Sequence, residues 1–477
     1  MSTPIRVKVV GGGLAGSEAT WQLAKRGIGV DLHEMRPVLK TPVHHTSDFA
    51  ELVCSNSLRG NDLDQAAGIL KEEMRRLDSL IIRIADEVRV PAGSALAVDR
   101  GLFSQRITEE ITKLPGVVVH REEIKSLPQD PLTIVATGPL TSDALAQDIA
   151  SFVGDTHLHF YDAVSPVIEA DSIDMTRVFR ASRYQKGTDD YLNCPMDQAE
   201  YDAFLRALLA AECSEVKDFE KEFFFEGCLP IEVIASRGPE TMRFGPLKPV
   251  GLLNPTTGKR PFAVVQLRQD NLAASHFSMV GFQTHLKWPE QKRIFRMIPG
   301  LENAEFIRFG MIHRNTYINS PKSLHPTFES RVRPGLFFAG QMSGVEGYVE
   351  SAASGLLAGI SAAARVRGEE PEAFPLDTAM GALGRYISGS DPNHYQPTNI
   401  AFGLFPDLAE TIRDKRLRRR ALSERALVSL GAFAERGGRW LRYSSPTFTV
   451  SNVTMSCPSP VVNRRRSSLV YTPTANG

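Results

Sequence analysis

The sequence predicts an α/β fold, and three stretches carry that reading. Ile5 to Glu34 reads as strand, glycine turn, helix and second strand. Gly335 to Val366 reads as a buried strand, a second glycine turn and a helix of small residues. Between them, from about 176 to 309, the strand–helix rhythm is lost and Pro- and Gly-broken segments take over. These stretches predict a Rossmann-like parallel-sheet domain in two parts, 1–175 and 310–445, interrupted by an inserted α+β domain, 176–309. The second part carries a helical C-terminal region, and 446–477, rich in Ser, Thr, Pro and Asn, is expected to be a disordered tail.

In the first stretch, Ile5, Val7, Val9 and Val10 form a β-branched run that stops at three glycines. Helical spacing then follows as far as Gly27, which makes this the first βαβ unit of a dinucleotide fold. Gly11, Gly13 and Gly16 stand in G-x-G-x-x-G order. Gly11 permits the tight turn, Gly13 lets backbone approach a pyrophosphate, and Gly16 lets helix and strand pack closely. With Gly12, Leu14 and Ala15 they form a cradle that places phosphates on a helix N-terminus. Glu34 closes the second strand at the spacing where a carboxylate bonds a ribose 2′-hydroxyl, which favours an unphosphorylated ribose.

From Met35 to Asn61 the chain is rich in Pro, His, Ser and Asn and reads as a long loop pinned over the cofactor. Asp62 to Val88 shows apolar residues at helical spacing, Leu102 to Lys113 is an amphipathic helix, and Val117–His120 is a strand. Thr133–Gly138 is a buried strand ending in a glycine turn. A helix is expected from Gln198 to Cys213, followed by broken strands through the segment that contains Cys228. The strand and turn at Gly335, with Gly340 and Gln341 at the turn, return the chain to the first fold. That second contact suits a flavin and its ribityl chain, which moves the cofactor from NAD to FAD. Pro371 to Tyr443 reads as mostly helical and holds seven basic residues against two acidic ones between Arg413 and Arg425. No internal repeats are evident.

The 55 basic and 55 acidic residues cancel, so affinity for nucleic acid has to come from a local basic face. Five scattered cysteines, without C-x-x-C or zinc spacing, suggest free thiols in a reducing cytosol and no metal. The N-terminus enters a strand at once and no apolar run is long enough to span a bilayer, so a cytoplasmic protein without membrane contact is expected. The oligomeric state is left open, a monomer included.

The segments GGGLAGSEA, LVCSNSLRGN, EGCLPIE, GLFFAGQMSGVEGYVES and YQPTNIAFGLFP, in that order, resemble the folate- and FAD-dependent tRNA (uracil-5-)-methyltransferases, the TrmFO family. GLFFAGQ is also similar to the GidA family that modifies wobble uridines, whereas CSNSLR with GCLPIE is more specific. The resemblance spans Ile5 to Tyr443. It implies methylation at C5 of a T-loop uridine in tRNA, with carbon from methylenetetrahydrofolate and electrons from NAD(P)H through FAD. A GidA-type modifying flavoprotein and a plain FAD-dependent oxidoreductase are the alternatives.

Uracil C5 is a poor nucleophile, and a thiolate added at C6 turns the ring into an enolate able to attack a one-carbon electrophile. Cys228, between Gly227 and Leu229-Pro230, is the expected nucleophile, with Lys221, Arg237 or Arg243 to stabilise a thiolate. Cys54, among Ser55, Asn56 and Ser57, is the expected acid/base group or C5-proton acceptor, and the two cysteines can exchange parts. Cys194, Cys213 and Cys457 read as structural. Tyr348, Glu346 and His285 are candidate folate contacts, and the Arg413–Arg425 cluster is a candidate for tRNA phosphates.

Overall fold

The computed structural model describes residues 5–41, 43–154, 158–185, 188–214 and 229–437. The expected tail, Cys228, Lys221 and Cys457 lie outside them. The main sheet has five strands, all paired in parallel, in the order Leu336–Phe338, Thr133–Val135, Arg6–Val10, Gly29–His33, Val117–His120. Its strands are short apolar runs such as LFF and TIV, every residue buried, as a parallel sheet covered on both faces requires. Two helices, Leu14–Ala24 and Tyr348–Val366, pack on each other closely because small residues meet at the contact: a Cβ on Gly355 would lie 2.1 Å from the Ala15 carbonyl oxygen. Strand Arg6–Val10 has a neighbour on each side whose connection leaves in the opposite direction, so a crevice opens at its carboxyl end.

A six-stranded antiparallel sheet occupies the middle of the chain, from Val167–Glu169 to Phe306–Arg308, and packs its own apolar core around residues such as Phe204, Val265, Phe282 and Phe295. A two-stranded pair, Leu158–Ala163 with Ile312–Tyr317, joins this part to the main sheet where the chain leaves and returns.

Several local expectations are corrected. The helical pattern over 62–88 is two helices, Ala66–Arg76 and Leu80–Glu87. Asp78, at φ 57°, breaks them, and the Ser79 hydroxyl then accepts the Ile82 N–H to start the second. The helix from Gln198 ends at Leu209 and not at Cys213. The segment expected as broken strands after Cys228 forms two short helices among the described residues, Ile231–Ser236 and Thr241–Phe244. Pro230 stands just before the first, where proline's preset φ and missing N–H cost the helix nothing. Of the span from Pro371 to Tyr443, the described part, to 437, is less helical than expected: Ala379–Gly389 and Lys415–Arg436 are separated by a stretch with only a 3₁₀ turn, Phe402–Leu404.

Candidate active site

A cavity of about 440 Å³ opens at the carboxyl end of the main sheet. Gly11, Gly13, Leu14, Ala15 and Glu34 line one side, Gly340, Gln341, Glu346 and Tyr348 another, and the Cys54 loop a third. Gly12 and Gly16 lie behind that wall. The three glycines of the motif behave differently from one another. Gly11 takes φ 102°, and a Cβ there would lie 2.5 Å from the Ala136 carbonyl oxygen on the neighbouring strand. A Cβ on Gly16 would sit 1.8 Å from the Gly11 carbonyl, so helix and turn touch through bare backbone. At Gly13 a Cβ meets nothing within 4 Å, because that position faces open space.

The helix Leu14–Ala24 starts there with no side-chain cap and no acidic residue in its first turn. Its unpaired N–H groups and dipole therefore present an anion site to the cavity, the donor set a dinucleotide diphosphate requires. Glu34 is 5% exposed; its Oε2 accepts the Gly12 N–H at 2.8 Å and its Oε1 accepts Arg36 N and Nε at 3.0 and 2.9 Å. Burial, which alone would raise its pKa, is outweighed by the Arg36 charge, so the carboxyl stays below its ordinary value. Oε2 keeps acceptor capacity toward the cavity, as a ribose hydroxyl needs.

Cys54 sits in a loop that has no helix or strand of its own until Ser57–Gly60. Side chains from distant parts of the chain hold it. Arg100 donates to Leu52 O at 2.6 Å, Arg308 to Val53 O and Cys54 O at 3.0 and 2.9 Å, and Arg268 to Ser55 Oγ and Asn56 Oδ1 at 2.7 and 2.8 Å. The Cys54 N–H donates to the Tyr348 hydroxyl at 2.7 Å. Asp270 pairs with Arg100 at 2.9 Å, and its charge is also felt by Arg268 and Arg308. A thiolate on Cys54 favours the charged form of all three arginines, and they in turn favour it. For Arg308 burial and the neighbouring Arg100 prevail, lowering its pKa to about 10. Burial pushes the Tyr348 hydroxyl well up, so that it is protonated and can donate into the cavity.

Glu346 is buried and its Oε2 accepts from Gln341 Nε2 at 2.5 Å. His285 is not among the cavity-lining residues, although Gln283 is. Its Nδ1 lies 2.5 Å from Glu232 Oε1, and its imidazole is within reach of Cys213, one of a three-residue cluster with these two. Cys213, expected to be structural, thus faces two polar side chains. Burial would lower the pKa of His285, but Cys213 and Glu232 raise it to about 9. Arg243 is engaged by Glu240 and lies over the Phe262 ring. Sequence reasoning missed Arg100, Arg268, Arg308 and Asp270. Only the apolar-to-charged break in AVVQLRQD, an arginine inside a wholly buried strand and an aspartate just past its end, signalled any of them.

The family model described as "Glucose inhibited division protein A" matches residues 6–370. The "Methylenetetrahydrofolate--tRNA-(uracil-5-)-methyltransferase TrmFO" of Pelotomaculum thermopropionicum is 60% identical over 429 residues, 90% of this chain and 98% of that one. The protein of the same name from Enterococcus faecalis is 60% identical over 422 residues, 88% and 97% of the two chains. Among solved structures, Aquifex aeolicus GidA in its form I crystal is similar at TM-score 0.63 and 17% identity, over 91% of this chain and 79% of that one, a likeness of fold. With that identity sustained over 90% of its length, the chain belongs to the TrmFO family.

Proposed function

We propose that the protein methylates C5 of a T-loop uridine in tRNA, taking the carbon from methylenetetrahydrofolate and electrons from NAD(P)H through FAD. The observation that carries this reading is that one cavity joins a diphosphate cradle, a second glycine turn and a cysteine set among arginines. Gly11 to Gly16 and Glu34 would hold the adenosine diphosphate half of FAD, and Gly340 and Gln341 the ribityl and ring half. When bound, FAD supplies the reducing equivalents that turn the transferred one-carbon unit into a methyl group.

The chain's own residues do the rest. A thiolate adds to uracil C6, forming a C–S bond and placing the electron pair at C5, which then bonds to the one-carbon unit. The C5 proton goes to a base, the bond from the transferred carbon to the folate nitrogen breaks so that tetrahydrofolate leaves as the amine, and loss of the thiolate restores the ring. Cys228 is assigned the addition and Cys54 the proton transfer, an assignment that reverses if Cys54 alone forms the adduct. Arg100, Arg268 and Arg308 keep the Cys54 thiolate available, and the protonated Tyr348 fixes the loop while presenting its ring to the cavity. Glu346 and Tyr348 are folate contacts in this reading, as is His285, although its imidazole is committed to Glu232. A tRNA substrate and a folate co-substrate point to the cytoplasm, and no described helix is long and apolar enough to cross a membrane.

Incubation of the holoprotein with tRNA, NAD(P)H and carbon-labelled methylenetetrahydrofolate, followed by mass analysis of the nucleosides, tests the reading. Label in one T-loop uridine is expected. Flavin reduction without label in tRNA would return the protein to the plain oxidoreductases.

A further inference from the structure

We propose that the arginine-rich start of the helix Lys415–Arg436 is the surface that receives tRNA backbone phosphates beside the cavity, a proposal that rests on the function above. The chain as a whole offers polyanions nothing, since 55 basic and 55 acidic residues cancel. A field that attracts tRNA has to be local, and here five exposed cations fall within eight consecutive residues. Arg413, Lys415, Arg416, Arg418 and Arg420 are exposed. Arg416 and Arg420 reach Asp64 at 3.9 Å and Glu424 at 3.3 Å with 85% and 74% of their side chains in solvent. Pairs this open hold their arginines weakly. Arg413, Lys415 and Arg418 have no side-chain partner among the described residues.

Their placement also runs against helix electrostatics. The positive end of the dipole disfavours cations, yet the first turn holds no acidic residue, and Asp414 is spent capping the Leu417 N–H at 2.8 Å. The buried half of the same helix begins only at Leu422. One acidic cap offsets only part of five cations at the positive end of the dipole, and such a surplus is the mark of charge kept for something outside the fold.

Position ties the patch to the cavity at two points. Ser423 donates to the Leu63 carbonyl, and four residues earlier Arg59 lines the cavity while pairing with buried Glu350 at 2.6 Å. Arg419 lies 5.3 Å over the Phe402 ring, three residues beyond cavity-lining Asn399. An RNA loop held by its phosphates on this face leaves a base free to be splayed into the cavity, as chemistry on its C5 and C6 demands.

The test is salt-dependent tRNA binding by the full-length holoprotein and by the Arg416→Ala, Arg418→Ala, Arg420→Ala triple variant. The three sites are solvent-facing and alanine favours a helix, and an unchanged flavin spectrum and melting curve verify the fold. The slope of log affinity against log salt should fall by about 2, so that affinity drops about 100-fold near 0.1 M salt and converges toward 1 M. An Arg418→Glu variant should weaken binding more than Arg418→Ala. Parent-like slopes, with the parent methylating tRNA, would overturn the surface and leave the function standing. Absence of any tRNA binding by the parent would overturn both. Loss of binding to anionic lipid vesicles with tRNA binding intact would assign the patch to a membrane surface and overturn the proposal.

Discussion

The glycine turn at Gly11–Gly16 and the loop carrying Cys54 line the same cavity and are held in opposite ways. The turn is made of backbone: its constraints are the Ala136 carbonyl above Gly11, the Gly11 carbonyl under Gly16 and the Glu34 carboxylate on Gly12. The loop is made of side chains that arrive from elsewhere: Arg100, Arg268, Arg308 and Tyr348. A backbone device tolerates no substitution at its contacts and any substitution where it faces space. A side-chain device fails by degrees, since each tie removed leaves the others.

The sharpest form of that contrast is within the turn. Gly16→Val drives a side chain into the Gly11 carbonyl and should cost about 3 kcal/mol or more, with flavin lost as a consequence of the damaged fold. Gly13→Val points into open space, so the flavin-free variant should melt within a few degrees of the flavin-free parent while failing to bind FAD. Calorimetry of both, with and without added FAD, reads the difference. Full flavin occupancy in Gly13→Val would mean that the diphosphate lies elsewhere.

In the loop, Arg268→Met keeps the apolar stem but removes the bonds to Ser55 Oγ and Asn56 Oδ1. Leaving a buried acceptor unpaired should cost about 1–3 kcal/mol. Cys54 would then be released from part of its positive field, and its alkylation rate at neutral pH should fall. A rate equal to the parent's would show that Arg100 and Arg308 suffice.

The Cys213–Glu232–His285 cluster offers a smaller effect of different sign with pH. His285 titrates near 9, against an ordinary value of 6.5, because Glu232 and Cys213 outweigh its burial. Stability from a raised histidine is present in full below about 6.5 and is lost as pH rises through about 9. Glu232→Gln should flatten the fall in melting temperature over that window. A parent-like fall in that variant would remove the ion pair from the account of His285.

What the sequence made legible follows the same division. The first crossover unit was readable because everything that shapes it lies between Ile5 and Glu34, with the glycines at fixed spacing. The strand at Leu336–Phe338 and its glycine turn were readable for the same reason. The arginine ring around Cys54 was not, because Arg268 and Arg308 stand on strands of the middle sheet and meet the loop only after both parts have folded. The short helices after Leu229 were misread as strands because proline and glycine punctuate both kinds of structure, and six- and four-residue helices are too short to show a period.

The central claim is that Cys54, held among arginines in the cavity that takes FAD, takes part in methyl transfer to uridine. The most direct measurement is transfer of labelled carbon from methylenetetrahydrofolate to tRNA by Cys54→Ala beside the parent protein, with the flavin spectrum of each recorded first. The variant should carry FAD as the parent does, since the adenosine and glycine contacts are untouched, and should transfer label at least about 100-fold more slowly. Transfer at the parent rate by a flavin-loaded variant would contradict the claim and leave Cys54 a residue of the loop's packing alone.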